Sequence, residues 1–177
     1  MSSFPSLLPF GWNEQPLPAG TTPARVIRHD DSTLSVFTHE GATTVRTPLE
    51  LYPEPTVGDW LALDGERIVE VLPRSSLFRR QAADERGSQT LAANVDVVLI
   101  TCGIDRPVKP GRIHRSIAIA WDAGATPVLV LTKAERRDAA VLDLPKLELE
   151  HPGVLVLVTS ALEGIGVEAV REAIAGR

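Results

Sequence analysis

The 177-residue sequence contains one cysteine, Cys102, and no lysine among residues 1–90. A single thiol excludes an internal disulfide and any cysteine-rich zinc site, and it suits a reducing compartment. Cys102 ends an apolar run, which points to a structural thiol. No apolar run approaches the roughly 18 residues that a membrane-spanning helix needs. The opening segment MSSFPSLLPFGW has no basic residue before its apolar part, so no secretory signal is expected and a cytoplasmic location is. The chain also contains no Gly-Lys pair, so it lacks the GxxxxGK[ST] loop that cradles phosphates. The net charge of −5 argues against nucleic-acid binding by bulk electrostatics, so any RNA contact must come from a local basic cluster.

What is present divides into two halves with different hydrophobic periods. Ala24–Asp30, Thr33–His39, Ala42–Thr47, Gly58–Asp64 and Arg67–Pro73 are short, partly alternating and rich in Val, Leu and Thr. Turn residues separate them, including the Asp64-Gly65 pair that favours a tight hairpin. Five short strands over about 50 residues suit a small closed barrel of the OB type, because closure removes exposed edges. Phe37, Tyr52 and Trp60 are expected to fill its core.

Beyond residue 90 the period changes. Val95–Thr101, Pro127–Thr132 and Val154–Thr159 are nearly continuous apolar runs, the pattern of parallel strands buried on both faces. Arg112–Ala123, with Ile113, Ile117 and Ala120 on one stripe and Gly124 as a stop, reads as a helix. Val141–Glu150 and Val167–Ala175 are further helical segments. The expected architecture is therefore a β barrel followed by a partial α/β layer with three parallel strands and helices, half of a nucleotide-binding sheet. The expected divisions are a tail over 1–22, the barrel over 23–73, a basic connector over 74–90 and the α/β part over 91–177.

Ligands of open α/β sheets bind beyond the carboxyl ends of the strands. There the second parallel strand runs into Thr132, Lys133, Ala134 and Glu135, and the third into Thr159, Ser160 and Ala161. A purine needs a long side chain over its flat face and a carboxylate for the N–H groups of guanine. Lys133 can supply the first through its methylenes and Glu135 the second. The backbone N–H of Ala161 can read the guanine carbonyl oxygen.

TKAE (132–135) and TSAL (159–162) resemble the fourth and fifth GTPase motifs, NKxD and SA. GDWLAL, VLPRSSLFRR, LAANVDVVLIT and GRIHRSIAIAWDAGATPVLVLTKAE extend the likeness over roughly residues 20–177. Together they resemble the circularly permuted GTPases of the ribosome small-subunit-dependent type, the RsgA family. The resemblance implies an OB-fold, then a GTPase domain in motif order 4-5-1-2-3, then a zinc-binding domain. It also implies binding of GTP and GDP, action late in 30S subunit maturation, contact with 16S rRNA, and GTP hydrolysis stimulated by the subunit. By this likeness, Thr132, Lys133, Glu135, Ser160 and Ala161 hold the nucleotide.

Three departures stand out. Thr132 replaces the usual Asn, Glu135 replaces Asp one methylene farther out, and the phosphate loop is absent. Mg²⁺ and structural zinc are therefore expected only in the complete protein, and the 177 residues alone are expected to be inactive. The strand Val95–Thr101 would be an apolar edge without its neighbour, so self-association is expected there.

Arg74, Arg79, Arg80 and Arg86 lie close together with Phe78 between them. Such a cluster suits rRNA phosphates and stacking on bases, and it equally suits a solvated linker paired with Asp84 and Glu85. Arg106, Lys109, Arg112 and Arg115 read as a solvated loop and helix face. The four histidines show no ligand spacing, and no metal site is expected. The rival to a GTPase part is an RNA-binding barrel beside a non-catalytic α/β scaffold.

Overall fold

The alternating segments of the first half form strands close to where their periodicity puts them. In the computed structural model, which describes residues 4–81, 88–136 and 144–175, they are β1 (Thr22–Asp30), β2 (Thr33–Thr38), β3 (Gly41–Arg46), β4 (Trp60–Asp64) and β5 (Arg67–Val71). They form one antiparallel sheet in the order β3-β2-β1-β4-β5. Gly65, at φ +58°, takes the left-handed conformation that the β4–β5 turn requires. The ladder does not close, since β3 and β5 are its two ends and no pairing joins them among the described residues.

One face of this sheet is packed by Ala24, Val26, Leu34, Val36, Val45, Leu61, Leu63 and Ile68. None of the three expected aromatic residues belongs to that cluster. Trp60 lies on the opposite face with Phe4, Leu7, Trp12, Ala62 and Leu72, Phe37 packs at its margin, and Tyr52 is exposed. Alternation shows which residues share a face, but it does not show that a segment outside the strands covers the second face. That cover is the 3-10 turn Pro5–Phe10 and Trp12, so residues 4–12 of the expected tail are packed structure. The Trp12 and Trp60 rings meet at 4.8 Å, and the Arg25 guanidinium stands 5.1 Å from the Trp60 ring centre.

The basic connector also differs from its expectation. Its residues form β6 (Leu77–Gln81), which pairs antiparallel with β7 (Ser88–Ala93). Asp84, Glu85 and Arg86 lie outside the described residues. Asn94, at φ +53°, anchors the hairpin. Its side chain accepts from the Ser75 N–H at 2.8 Å and donates to the Gly58 carbonyl at 3.0 Å. Gly58 has no room for a side chain, because a Cβ there would stand 2.1 Å from the Ala93 carbonyl oxygen. A buried ion pair fixes the same corner. Arg74 donates from Nε and Nη2 to the two carboxylate oxygens of Asp59, both at 2.7 Å, and from Nη2 to the Glu54 carbonyl. Asp59 is fully buried and also accepts the Thr56 N–H at 2.8 Å.

The chain divides into the units Met1–Val95 and Asp96–Arg177. The second unit alternates strand and helix: β8 (Val97–Gly103), α1 (Pro110–Asp122), β9 (Thr126–Thr132), α2 (Leu144–Glu150), β10 (Leu155–Val158) and α3 (Val167–Ile174). The three strands are parallel in the order β10-β9-β8. Only β9 is buried on both faces; Leu99 of β8 and Leu155 of β10 are partly exposed. Ile113 and Ile117 of α1 and Leu147 of α2 pack on Ile100, Leu129 and Leu131. This covers one sheet face, as the stripe of α1 leads one to expect. Val141, at the start of the expected second helix, lies outside the described residues.

Asp59→Ala should lower stability to urea by about 3 kcal/mol, since it leaves the Arg74 guanidinium unpaired in a largely buried place. Arg79→Ala, at an exposed position of β6, should stay within about 0.5 kcal/mol of the parent. Equal effects of the two substitutions would contradict the structural role assigned to the pair.

Candidate functional site

The carboxyl ends of β8, β9 and β10 lie side by side, and the loops that leave them are tied together by main-chain hydrogen bonds. The Ile104 N–H donates to the Thr132 carbonyl at 2.9 Å and the Thr159 N–H to the Leu131 carbonyl at 2.7 Å. The Ala134 N–H returns to the Thr159 carbonyl at 3.0 Å. These bonds continue the parallel ladder past the strands and hold the 132–135 and 159–161 segments in register. Thr132 ends β9, and Lys133 follows in the left-handed conformation at φ +66°. That conformation is costly for a residue with a side chain and needs support from its surroundings.

Lys133 receives such support from residues with no obvious signal in the sequence. Its Nζ donates to the Asp105 carboxylate at 2.6 Å. Its stem passes over Gly103, where a Cβ would stand 3.6 Å from the lysine Cδ and 2.7 Å from Asp105 Oδ1. Asp105 and Gly103 could have been suspected only from their position at the end of β8. The hydrogen bond from Lys133 holds the Asp105 carboxyl below the usual carboxylate range.

Glu135 sits in a single 3-10 turn, Ala134–Arg136. Its carboxylate accepts the Ser160 hydroxyl at 2.5 Å, and this bond, with the Glu135 backbone N–H behind it, keeps the carboxyl below its ordinary range. Ser160 is fully buried, and its hydroxyl oxygen also accepts the Glu163 N–H at 3.2 Å. Ala161 is exposed beside it. Thus Glu135 from one loop and Ser160 from the other, expected to share a site, are in direct contact. An ionised carboxylate has about four acceptor positions, so one serine does not exhaust it.

Next to Lys133 lies a cavity of about 700 Å³ at the end of β8, lined in part by Gly103, Arg106, Lys109, Arg112, Thr132 and Lys133. Three of the four residues read as a solvated basic stretch therefore face a concave site. Cationic side chains converging on a cavity favour an anionic ligand. Cys102 also lines it, and burial raises its thiol, so it stands there as a neutral group. In the other unit, Arg74 is committed to Asp59, Arg79 is exposed on β6, and only the backbone of Arg80 is described.

Comparison with known proteins identifies the family of the chain. The model of the family described as RsgA GTPase matches residues 71–177, more than half of the chain. The small ribosomal subunit biogenesis GTPase RsgA of Xanthomonas campestris pv. campestris strain B100 is 41% identical over 117 residues, covering 65% of this chain and 32% of that protein. The protein of the same name from Xanthomonas oryzae pv. oryzae strain MAFF 311018 is 40% identical over the same length, with the same coverage. The crystal structure of YjeQ from Thermotoga maritima superposes with a TM-score of 0.66 at 21% identity, covering 87% of this chain and 57% of that one. The chain thus spans about a third of the length of the curated relatives it matches. By the match of its 71–177 segment to the family model, this chain belongs to the RsgA GTPase family.

Proposed function

We propose that this chain supplies the guanine-reading part of a GTPase that acts in small ribosomal subunit biogenesis. The observation that carries the proposal is the Glu135–Ser160 contact, which joins the TKAE and TSAL loops at the carboxyl ends of β9 and β10. In this reading the stem of Lys133 covers one face of the purine. Glu135 accepts from the ring N–H and exocyclic amine of guanine, and the Ala161 N–H donates to its carbonyl oxygen. Thr132 lines the loop, and the basic cavity beside Lys133 adds favourable potential for the phosphates.

Hydrolysis of GTP rests on charge stabilisation by backbone amides, a lysine and Mg²⁺ around the phosphates. The 177 residues hold no GxxxxGK[ST] loop to organise these groups. We therefore assign hydrolysis, Mg²⁺ and the zinc-binding domain to the complete protein, and expect no turnover from these residues alone. The open antiparallel sheet of the first unit suits an OB-fold, which is itself only partly closed. With the exposed Arg79 on its β6 strand, this unit is assigned to 16S rRNA contact on the 30S subunit, in the cytoplasm. Arg80 belongs to the same hairpin. Arg74 is left out, because its guanidinium is engaged by Asp59.

Titration with GDP and ADP should show weak binding that favours guanine, and Glu135→Ala should remove the preference by on the order of tenfold or more. The preference should persist as pH falls through the ordinary glutamate range and disappear only below it, because the folded site keeps Glu135 ionised. Equal binding of both nucleotides would favour the RNA-binding module with an inert α/β scaffold. Arg79→Ala should weaken 30S association and reduce the slope of log affinity against log salt by about one. An unchanged slope would remove Arg79 from the interface.

A further inference from the structure

His114 of α1 and His151, which follows α2, are far apart in sequence, yet their rings pack edge to face with centres 4.5 Å apart. Glu150 completes the group: each of the three residues offers a ligand atom, and these atoms lie within 4.8 Å of one another. His151 is more than nine-tenths buried, and its Nε2 has no hydrogen-bond partner among the described residues. A buried imidazole nitrogen ordinarily has a partner. The backbone around the group is firmly placed, because Ile113, Leu147 and Val154 all belong to the core of the α/β unit.

We propose that His114, Glu150 and His151 form a divalent transition-metal site of the zinc class that ties α1 to α2. Two imidazoles and a carboxylate are a borderline N/O donor set that suits zinc and leaves a fourth position for water. Tetrahedral bonds of 2.0–2.2 Å place ligand atoms about 3.4 Å apart, so the group must contract by roughly an ångström. His114 and Glu150 are exposed and can rotate inward while buried His151 stays fixed. The competing interaction is weak: Lys146 Nζ stands 3.9 Å from Glu150 Oε1 in an exposed pair, which a dication at the carboxylate would displace. The site is built from residues of the α/β unit alone, and no nucleotide takes part in it.

The test is calorimetric titration of the 177-residue chain with zinc chloride, together with cobalt(II) absorption and thermal melting. One equivalent should bind in the micromolar range or tighter, and the cobalt form should show tetrahedral d–d bands without a thiolate charge-transfer band. His114→Ala, at an exposed position, should keep the fold, weaken zinc binding by on the order of a hundredfold and abolish the upward shift in Tm that zinc gives the parent. Glu150→Gln should weaken binding in the same direction. Cys102→Ser and the double variant His29→Ala/His39→Ala should bind as the parent does. Parent-like affinity in His114→Ala, loss of binding in Cys102→Ser, or no binding by the parent would each overturn the proposal.

Discussion

The ends of three parallel strands are joined by hydrogen bonds that outlast the strands themselves, and every feature of the candidate site hangs on that continuation. Ile104 to Thr132, Thr159 to Leu131 and Ala134 to Thr159 carry the ladder of β8, β9 and β10 into the loops. Loops usually lose such constraint within a residue or two of the sheet. Here the constraint reaches as far as Lys133, whose left-handed backbone would otherwise be unfavourable. Central strand β9 can carry this load because its residues from Pro127 to Leu131 are all buried.

With the loops fixed, the charged groups at their tips are paired before any ligand arrives. Asp105 holds the ammonium end of Lys133, which leaves the methylene stem extended over Gly103 as a flat apolar surface. Ser160 holds one side of Glu135 and keeps it ionised. Such prior ordering reduces the conformational entropy that binding must otherwise remove. The first unit uses the same device at its own corner. There Asp59 and Arg74, with Asn94 bridging Ser75 and Gly58, hold the β6–β7 hairpin against the loop before β4.

Periodicity made most of the elements legible. The five alternating segments and three apolar runs became strands within two residues at every end, and Ile113, Ile117 and Ala120 marked the buried stripe of α1. The loops TKAE and TSAL were legible as a pair because both follow parallel strands. The cover of the first sheet was not legible, since the Pro5–Phe10 turn and Trp12 have no period and meet Trp60 only through the fold. The β6–β7 hairpin was hidden by its arginines, which read as an rRNA contact or a solvated linker, whereas Arg79 and Arg80 stand in a paired strand. Asp105 was hidden because its partner, Lys133, follows the neighbouring strand. The His114–His151 pair was likewise invisible, because neither histidine lies at ligand spacing from another in the sequence.

Under the proposed function, guanine is read by the 132–135 and 159–161 loops and by no other part of the chain. The most direct test is a two-dimensional amide NMR titration of the 177-residue chain with GDP, with ADP as the control. GDP should move the signals of Lys133, Ala134, Glu135, Ser160 and Ala161 first and most, and ADP should leave them in place. Shifts confined to the β1–β5 sheet, or equal responses to GDP and ADP at the loops, would contradict that reading.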